Sequence, residues 1–211
     1  MKNRISPLLT GIAGALVLAM APAHAQTKAP EKVTLMLNWY LYSEHAPFFL
    51  GKERGFYAEE GIDLDIQEGR GSAVTAQAVA AKSATFGYID VTTMIKAAAK
   101  GAPLKSTGVL FQVSPMSVMG FADKNIRSPK DIIGKTVATT PGDSMSQMWP
   151  LFLKANNIQA DQVKIVSGDG QTKLNAVMNG QADLLLGYVM DQAIKLQDAT
   201  GKQVYPIRFA D

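Results

Sequence analysis

The chain has 211 residues, no cysteine and a formal net charge of +3. The lack of cysteine excludes disulfide bonds, thiolate catalysis and cysteine-ligated metals, and so small a net charge gives no basic field on the scale that nucleic acid binding requires. We therefore expect a fold that is stabilised by its hydrophobic core alone, with a length that suits one large domain or two small lobes.

Residues 1–25 have the features of a signal peptide. Lys2 and Arg4 give a short basic segment, residues 8–20 are apolar, and Ala23-His24-Ala25 has the small-x-small form of a signal-peptidase site. We expect cleavage after Ala25 and a periplasmic location. The alternative is an uncleaved anchor, although the apolar run is shorter than the ~20 residues of a transmembrane helix. A lipoprotein is excluded because there is no cysteine to acylate.

Residues 26–32 form a polar leader, and residues 33–113 are predicted to form a first lobe. Strands are expected at 33–37, 62–66, 85–88 and 104–111, with helices starting at Pro47 and spanning 73–82 and 90–100. The first helix starts there because proline disfavours helix at the residue before it and is favoured at the first helical position.

Residues 114–207 are predicted to form a second lobe. Strands are expected at 116–121, 136–139, 163–166, 184–187 and 204–207, and helices at 128–134, 145–155, 171–178 and 190–196. Strands that alternate with helices predict a parallel sheet that is covered on both faces. Two extended runs in series, 104–111 and 116–121, predict that the chain crosses between the lobes there.

An internal similarity supports two lobes of one plan. Gly87-Tyr88 is followed by Asp90, and Gly187-Tyr188 is followed by Asp191, each after a helix and a strand. Each lobe would then offer a tyrosine at the carboxyl end of a strand. Chance is the alternative explanation.

The loop after the first strand is the candidate binding loop. It carries Asn38, Trp39, Tyr40 and His45, at the strand end where open α/β sheets bind ligands. Trp39 offers a stacking face and Asn38 offers a donor and an acceptor. Neighbouring residues in extended chain point to opposite sides, so at most one of Trp39 and Tyr40 faces a ligand. A core role for Trp39 and a structural role for His45 remain open, and His45 alone cannot form a metal site.

Two turns lead into helices and could bind polar ligand atoms at the helix N-termini. They are Gly71-Ser72 and Gly142-Asp143-Ser144, and ordinary N-capping is the alternative. Asp143 argues against an anion nearby, and Arg70 is the one candidate cation. No catalytic or metal-binding residue is predicted. The predicted ligand-binding residues are Asn38, Trp39, Tyr40, His45, Gly71, Ser72, Asp90, Met116, Thr140, Gly142, Ser144, Tyr188 and Asp191.

Four segments carry a family resemblance. They are Leu37-Asn38-Trp39 with His45-Ala46-Pro47, then GKERGFYAEEGIDL at 51–64, SPKDIIGKTV at 128–137 and GQAD at 180–183. With them the chain resembles the periplasmic solute-binding proteins of ABC importers, in the branch that includes thiamine-pyrimidine synthase and binders of pyrimidines, sulfonates and nitrate.

The resemblance implies a two-lobed α/β fold of the type II periplasmic-binding-protein class with mostly parallel sheets. It also implies that the chain returns to the first lobe, starting at 208–211. We therefore expect a fragment of a longer protein, with a truncated lobe that survives alone as the alternative. The implied partners are a small-molecule solute and an ABC permease in the inner membrane, with no nucleic acid and no cofactor, for a monomeric protein.

The favoured function is capture of a small heteroaromatic solute, such as a thiamine-precursor pyrimidine, in a cleft between the lobes. A sulfonate, taurine or nitrate binder is the first alternative. An enzyme similar to the fungal pyrimidine synthase, in which a histidine of this loop supplies atoms to the product, is the second. The absence of that enzyme's cysteine-rich motif and the export signal favour a protein that is not an enzyme. A sensor lobe of a signalling protein is also open.

Overall fold

The computed structural model describes residues 29–211. The predicted signal peptide at 1–25 lies outside the described residues. Within them, no helix combines the length and the apolar character that a membrane crossing needs.

The N-terminal half, residues 29–113, contains a three-stranded parallel sheet in the order β2-β1-β3. Its strands are β1 (Glu31–Met36), β2 (Ile62–Gln67) and β3 (Phe86–Gly87), and its helices are α1 (Ala46–Glu53), α2 (Phe56–Glu59), α3 (Ser72–Ala80) and α4 (Val91–Ala99). Pro47 lies in the first turn of α1, as the sequence predicts, and Gly55 separates α1 from α2 with a φ of 79°. Alternate residues of β1 point into a small core.

The C-terminal half, residues 114–211, contains a five-stranded mixed sheet in the order β6-β5-β7-β4-β8. Its strands are β4 (Met116–Phe121), β5 (Thr136–Thr139), β6 (Lys164–Ser167), β7 (Leu184–Tyr188) and β8 (Val204–Arg208), and its helices are α5 (Ser144–Ala155), α6 (Gly170–Met178) and α7 (Gln192–Thr200). The strand β4 runs antiparallel to both of its neighbours. Four of the six strand pairings are parallel, so the expectation of mostly parallel sheets is confirmed.

Two predicted elements are absent from the described chain. Residues 104–111 form neither strand nor helix, because β3 pairs only with β1 and no strand lies beside this segment to share its hydrogen bonds. The helix predicted at 128–134 is a single 3₁₀ turn, Pro129–Ile132, which the capping box of Ser128 and Asp131 starts. The turn ends at Ile133, which is extended, and Gly134 follows with a φ of 76°.

Apolar side chains cover both faces of the larger sheet. Trp149 and Phe152 of α5 pack on one face, where Phe152 stacks on Phe209 at 4.4 Å between ring centroids. Residues of α6 and α7 pack on the other face, around the fully buried Leu185. The core of the N-terminal half is smaller and consists of Val33, Leu35, Leu37 and Leu64.

The two halves touch through polar contacts between α4 and α5. Lys96 Nζ donates a hydrogen bond to the backbone oxygen of Gln147 at 2.8 Å, and Gln147 Nε2 donates to Thr93 Oγ1 at 3.1 Å. These contacts bring the carboxyl ends of β1 and β7 close to each other and leave a narrow cleft between the sheets. The lobe boundaries given by the sequence stay a prediction.

Candidate ligand-binding cleft

A cavity of about 30 Å³ lies between the halves. Pockets that hold drug-sized ligands have roughly 300–1,000 Å³, so this cleft is nearly closed. The residues that line it are Asn38, Trp39, Tyr42, Gly71, Ser72, Asp143, Ser144, Met145, Lys173, Gly187, Tyr188 and Gln192. They lie at or after the carboxyl ends of β1, β2, β5, β6 and β7, where ligands of α/β sheets bind.

A second, wider cavity of about 570 Å³ lies beside the first. One wall is β3 with the residues that follow it, and the opposite wall is the irregular segment 103–115. Asn38 and Tyr188 border both cavities. The narrow cleft therefore has free space next to it.

Asn38 is held in place by two buried side chains. Its Nδ2 donates to Glu44 Oε1 at 2.9 Å, and its Oδ1 lies 2.8 Å from His45 Nε2, which must donate in that pair. The Nδ1 atom of His45 has no hydrogen-bond partner within the described residues. His45 thus lies behind Asn38, with 1% of its surface exposed, rather than on the cavity wall.

Trp39 and Tyr40 lie in an irregular loop after β1, so the alternation expected of extended chain does not apply, and both rings approach Gly170. Trp39 lines the cavity and meets the Tyr40 ring edge-on at 5.3 Å. Tyr40 lies outside it, with the guanidinium of Arg70 over its ring at 4.0 Å. Arg70 also contacts Glu68, with Nη1 at 3.2 Å from Oε2. The cation that the sequence offered for an anionic ligand is therefore engaged elsewhere.

Tyrosines from both halves reach the cavity. Tyr42 packs edge-on against His45, with ring centroids 4.6 Å apart, and Tyr188 shares a hydrogen bond with Ser144 at 3.2 Å. Burial raises the pKa of both phenols, and the Glu44 carboxylate raises the pKa of Tyr42 further. Both hydroxyls therefore stay protonated, with the Tyr42 hydroxyl interacting with Glu44 and the Tyr188 hydroxyl with Ser144.

A buried ion pair forms one wall of the cleft. Lys173 Nζ lies 3.5 Å from Asp143 Oδ2, and less than a tenth of either side chain is exposed. Asp143 Oδ1 also accepts from the backbone N–H of Ser146 and so caps α5. The ammonium lies 5.2 Å from the centroid of the Trp39 ring, so it spans the two halves. Burial raises the pKa of Asp143 and lowers the pKa of Lys173, while the attraction between the two charges opposes both shifts.

Glycines set the distance between the halves at two points. Gly71 has a φ of 121°, and a Cβ there would lie 2.9 Å from the backbone oxygen of Gly142. A Cβ at Gly170 would lie 3.1 Å from Cζ2 of Trp39. A larger residue at Gly71 would force main chain to shift, whereas one at Gly170 would press on the Trp39 side chain.

The structure brings some of the predicted site residues to the cavity and leaves others outside it. Those on its wall are Asn38, Trp39, Gly71, Ser72, Ser144 and Tyr188. Those off the wall are Tyr40, His45, Asp90, Met116, Thr140, Gly142 and Asp191.

Each residue off the wall has another place in the structure. Asp90 caps α4 through the backbone N–H of Thr92, at 2.9 Å, and borders the wider cavity. Met116 is buried in the core. Asp191 pairs with Lys195 at 2.7 Å. Thr140 and Gly142 lie in the turn that precedes α5, and Gly142 meets Gly71 through its backbone.

Sequence reasoning missed several residues on the wall, among them Tyr42, Lys173 and Gln192. Lys173 stands in a polar helix and carries no local signal of burial, because its partner Asp143 lies on another helix. Tyr42 could have been found, since it belongs to the aromatic loop that the sequence singles out.

Among the described residues, no group of three or more His, Asp or Glu side chains could hold a metal ion. The wall of the cleft carries hydrogen-bonding groups, aromatic faces and a buried ion pair.

The family described as NMT1/THI5 like matches residues 42–211. The chain is 28% identical to the 4-amino-5-hydroxymethyl-2-methylpyrimidine phosphate synthase of Legionella pneumophila, over 86% of this chain and 57% of that protein. It is 28% identical to the formylaminopyrimidine-binding protein of Halalkalibacterium halodurans, over 76% of this chain and 48% of that protein. The chain thus spans about half the length of the curated relatives it matches.

Solved structures match in fold. The periplasmic aliphatic sulphonate binding protein of Escherichia coli superposes with a TM-score of 0.67 at 16% identity, over 85% of this chain and 60% of that one. A Bordetella bronchiseptica protein gives a TM-score of 0.67 at 22% identity, over 85% and 56%. The expected periplasmic-binding-protein-like α/β fold is confirmed.

The comparisons also correct one expectation. Relatives from Legionella pneumophila, Schizosaccharomyces pombe and Uromyces fabae are named as pyrimidine phosphate synthases. The prediction that the chain is not an enzyme is wrong, because its relatives include proteins named as enzymes as well as binding proteins. The match over residues 42–211 covers most of the sequence, and the chain therefore belongs to the NMT1/THI5-like family.

Proposed function

We propose that this protein captures a small, uncharged heteroaromatic solute of the thiamine-precursor pyrimidine type in the cleft between its halves. It acts in the periplasm and delivers the solute to an ABC permease. Two relatives are named as formylaminopyrimidine-binding and riboflavin-binding proteins, which supports a heteroaromatic ligand. The fold neighbours include periplasmic sulfonate-binding proteins, which supports the transport role.

One observation carries the proposal: an amide, an indole and two phenols converge on one cavity from both halves of the chain. Asn38 and Trp39 come from the N-terminal half, and Tyr188 from the C-terminal half. A flat ring can stack on the aromatic faces, while the remaining Nδ2 hydrogen of Asn38 and the tyrosine hydroxyls bond its polar edge.

The charge of the cleft favours an uncharged solute over a sulfonate or nitrate. The ammonium on the wall, that of Lys173, already faces the carboxylate of Asp143 at 3.5 Å. Arg70 packs on Tyr40 away from the cavity. An anion would therefore have to displace a buried ion pair, which is strongly unfavourable because it leaves the carboxylate uncompensated.

Solute entry requires the halves to separate. The cavity of about 30 Å³ has no room for a pyrimidine ring, and backbone contact between Gly71 and Gly142 closes it. Movement of α/β lobes about the chain crossings is a common way to open such clefts. The crossing at residues 112–117 connects the two sheets here.

A thermal-shift panel on the full-length mature protein tests the proposal. Pyrimidines, riboflavin, taurine, methanesulfonate and nitrate are compared in wild type, Trp39→Ala and Asn38→Ala. The matched control is Tyr40→Ala, because Tyr40 is adjacent but outside the cavity. A ligand that binds only the native state adds ~2.7 kcal/mol at a hundredfold excess over its Kd.

We expect a pyrimidine to shift wild type and Tyr40→Ala, and to shift Trp39→Ala and Asn38→Ala far less. A hit that stabilises all four proteins equally would show that the solute binds elsewhere. A shift with sulfonates alone would replace the proposed ligand by an anion.

A second candidate function is pyrimidine synthesis. Several relatives are named as synthases, and the resemblance implies that a loop histidine supplies atoms to the product. His45 is the one histidine among the described residues, and its Nδ1 is unpartnered. Peptide mass spectrometry of the protein purified from aerobic cultures tests this function. Loss of imidazole atoms at His45 would support synthesis, and an intact residue after every growth condition would argue against it.

A further inference from the structure

The walls of the cleft carry several groups that would suit an anion. The N-terminus of α3, at Gly71 and Ser72, and that of α5, at Ser144, both reach the cavity. Helix N-termini present free N–H groups and a positive partial charge. Lys173 adds its amino group at the same place, and 2% of its side chain is exposed.

Asp143 places a negative charge beside these positive groups. Its Oδ2 atom lies 3.5 Å from Lys173 Nζ, and its side chain is buried on the same wall. The structure gives Lys173 no other carboxylate within 4 Å among the described residues. Asp143 is thus the direct partner with which a ligand anion would compete for the ammonium.

We propose that Asp143 sets the charge selectivity of the cleft, because its carboxylate neutralises Lys173 and thereby rejects anions from a site otherwise built to take them. The proposal rests on the proposed use of the cleft as the solute site. It concerns discrimination, which depends on penalties against the wrong ligand as much as on contacts to the right one.

The physical reason is the cost of an unpaired buried charge. With Asp143 present, a bound anion must compete with a fixed carboxylate for one ammonium. Whichever of the two does not pair with the ammonium stays buried without a counter-ion. With an uncharged residue at 143, the anion itself supplies the missing partner. Substitution of this one carboxylate should therefore convert rejection into binding.

Asp143→Asn is the variant that isolates the charge. Asparagine caps helices about as well as aspartate, so it can keep the hydrogen bond from the Ser146 N–H while it removes the charge. We expect Asp143→Asn to melt at a lower temperature than wild type, because Lys173 loses its partner. Sodium methanesulfonate should restore part of that loss, and sodium chloride at equal ionic strength should restore less.

The structure provides a matched control at the next helix. Asp169 caps α6 through the Thr172 N–H at 2.8 Å, as Asp143 caps α5 through Ser146. Asp169 is exposed and lies outside the cavity. Asp169→Asn removes the same charge from an equivalent cap. Any increase in stabilisation or binding by methanesulfonate in this variant therefore reports a general electrostatic effect.

Calorimetry on the full-length mature protein measures the affinity for methanesulfonate directly. We expect Asp143→Asn to bind it at least about tenfold more tightly than wild type or Asp169→Asn, which corresponds to about 1.4 kcal/mol. The double variant Asp143→Asn/Lys173→Met should lose that gain, because the ammonium is gone.

If Asp143→Asn and Asp169→Asn bind methanesulfonate with equal affinity, the proposal is overturned. It is also overturned if the double variant keeps the increased affinity of Asp143→Asn. Failure of the proposed function is a separate result. If wild type binds no heteroaromatic compound while Asp143→Asn still gains anion affinity, the charge assignment holds and the solute class is wrong. If wild type itself binds methanesulfonate as tightly as Asp143→Asn, both are wrong.

Discussion

The two halves of the molecule form opposite walls of one cleft, but they are stabilised differently. The C-terminal half buries large side chains on both faces of its sheet, including Leu185, Leu186 and Phe152. The core cluster of the N-terminal half has only four buried residues, and this half leaves large apolar side chains exposed, among them Phe56 at 55% and Phe86 at 45%. Buried apolar area is the main source of stability, so the C-terminal half should be the more stable wall.

The N-terminal wall is fastened largely by hydrogen bonds. The backbone N–H groups of Gly69 and Gly71 donate to the oxygens of Trp39 and Asn38, at 3.1 Å and 2.9 Å. Asn38 is held in turn by Glu44 and His45. Hydrogen bonds, more than a large apolar core, therefore hold this loop in place.

The largest expected effect compares leucines in the two cores. Leu185→Ala removes a fully buried side chain from the middle of the larger sheet, and Leu64→Ala removes one that is 5% exposed in the smaller sheet. Buried Leu→Ala changes cost ~2–5 kcal/mol, and less where the site can collapse. We expect Leu185→Ala near the upper end and Leu64→Ala near the lower end, as measured by urea unfolding. Equal losses would contradict the difference between the halves.

A smaller effect is expected from the two tryptophans, one in each half. Trp39→Phe leaves Trp149 as the reporter of the C-terminal core, and Trp149→Phe leaves Trp39 as the reporter of the cleft. If the halves differ by ~2 kcal/mol, Trp39 fluorescence should change about 1 M urea below Trp149 fluorescence, given an m-value of about 2 kcal/mol/M. Circular dichroism on each variant provides the global transition. Coincident midpoints for both reporters would show that the halves unfold as one unit.

The smallest effect is expected in acid. Backbone N–H groups of Arg127 and Ser128 lower the pKa of Asp131, and the backbone N–H of Leu41, with Arg70, lowers the pKa of Glu68. A carboxyl whose folded pKa is lowered stabilises the fold above its unfolded pKa of about 4, and this stability is lost as the pH falls through the folded value.

In Asp131→Asn, the free energy of unfolding measured by Trp149 fluorescence should therefore fall less steeply below about pH 4 than in wild type. In Glu68→Gln, the same should hold for the free energy measured by Trp39 fluorescence. Both effects should be small because both groups are exposed. A change that appears in the reporter of the opposite half would mean that the two walls are coupled.

Local signals in the sequence predict the elements of this fold well. Pro47 places the start of α1, Asp90 places the start of α4, and the alternation of residues 62–66 predicts β2. The strand predicted at 104–111 fails for a reason that no local pattern contains. A strand needs a neighbour, and that segment has none among the described residues.

The candidate site also has one part that local sequence signals predict and one part that they do not. The aromatic loop after β1 is visible in the sequence because of its composition and its position at a strand end. The pair of Lys173 and Asp143 is not visible, since the two residues come from different helices and meet only through the tertiary fold. A lysine in a polar helix normally suggests a solvated face, and only the packing of α5, α6 and Trp39 buries this one.

The contact of Gly71 with Gly142 has a consequence for engineering. At that point main chain meets main chain, so the width of the closed mouth depends on peptide groups and not on side-chain size. A single methyl group there would act as a wedge. Gly71→Ala would combine this clash with the strain of an L-residue at a φ of 121°, so it should widen the entrance only at a cost in stability.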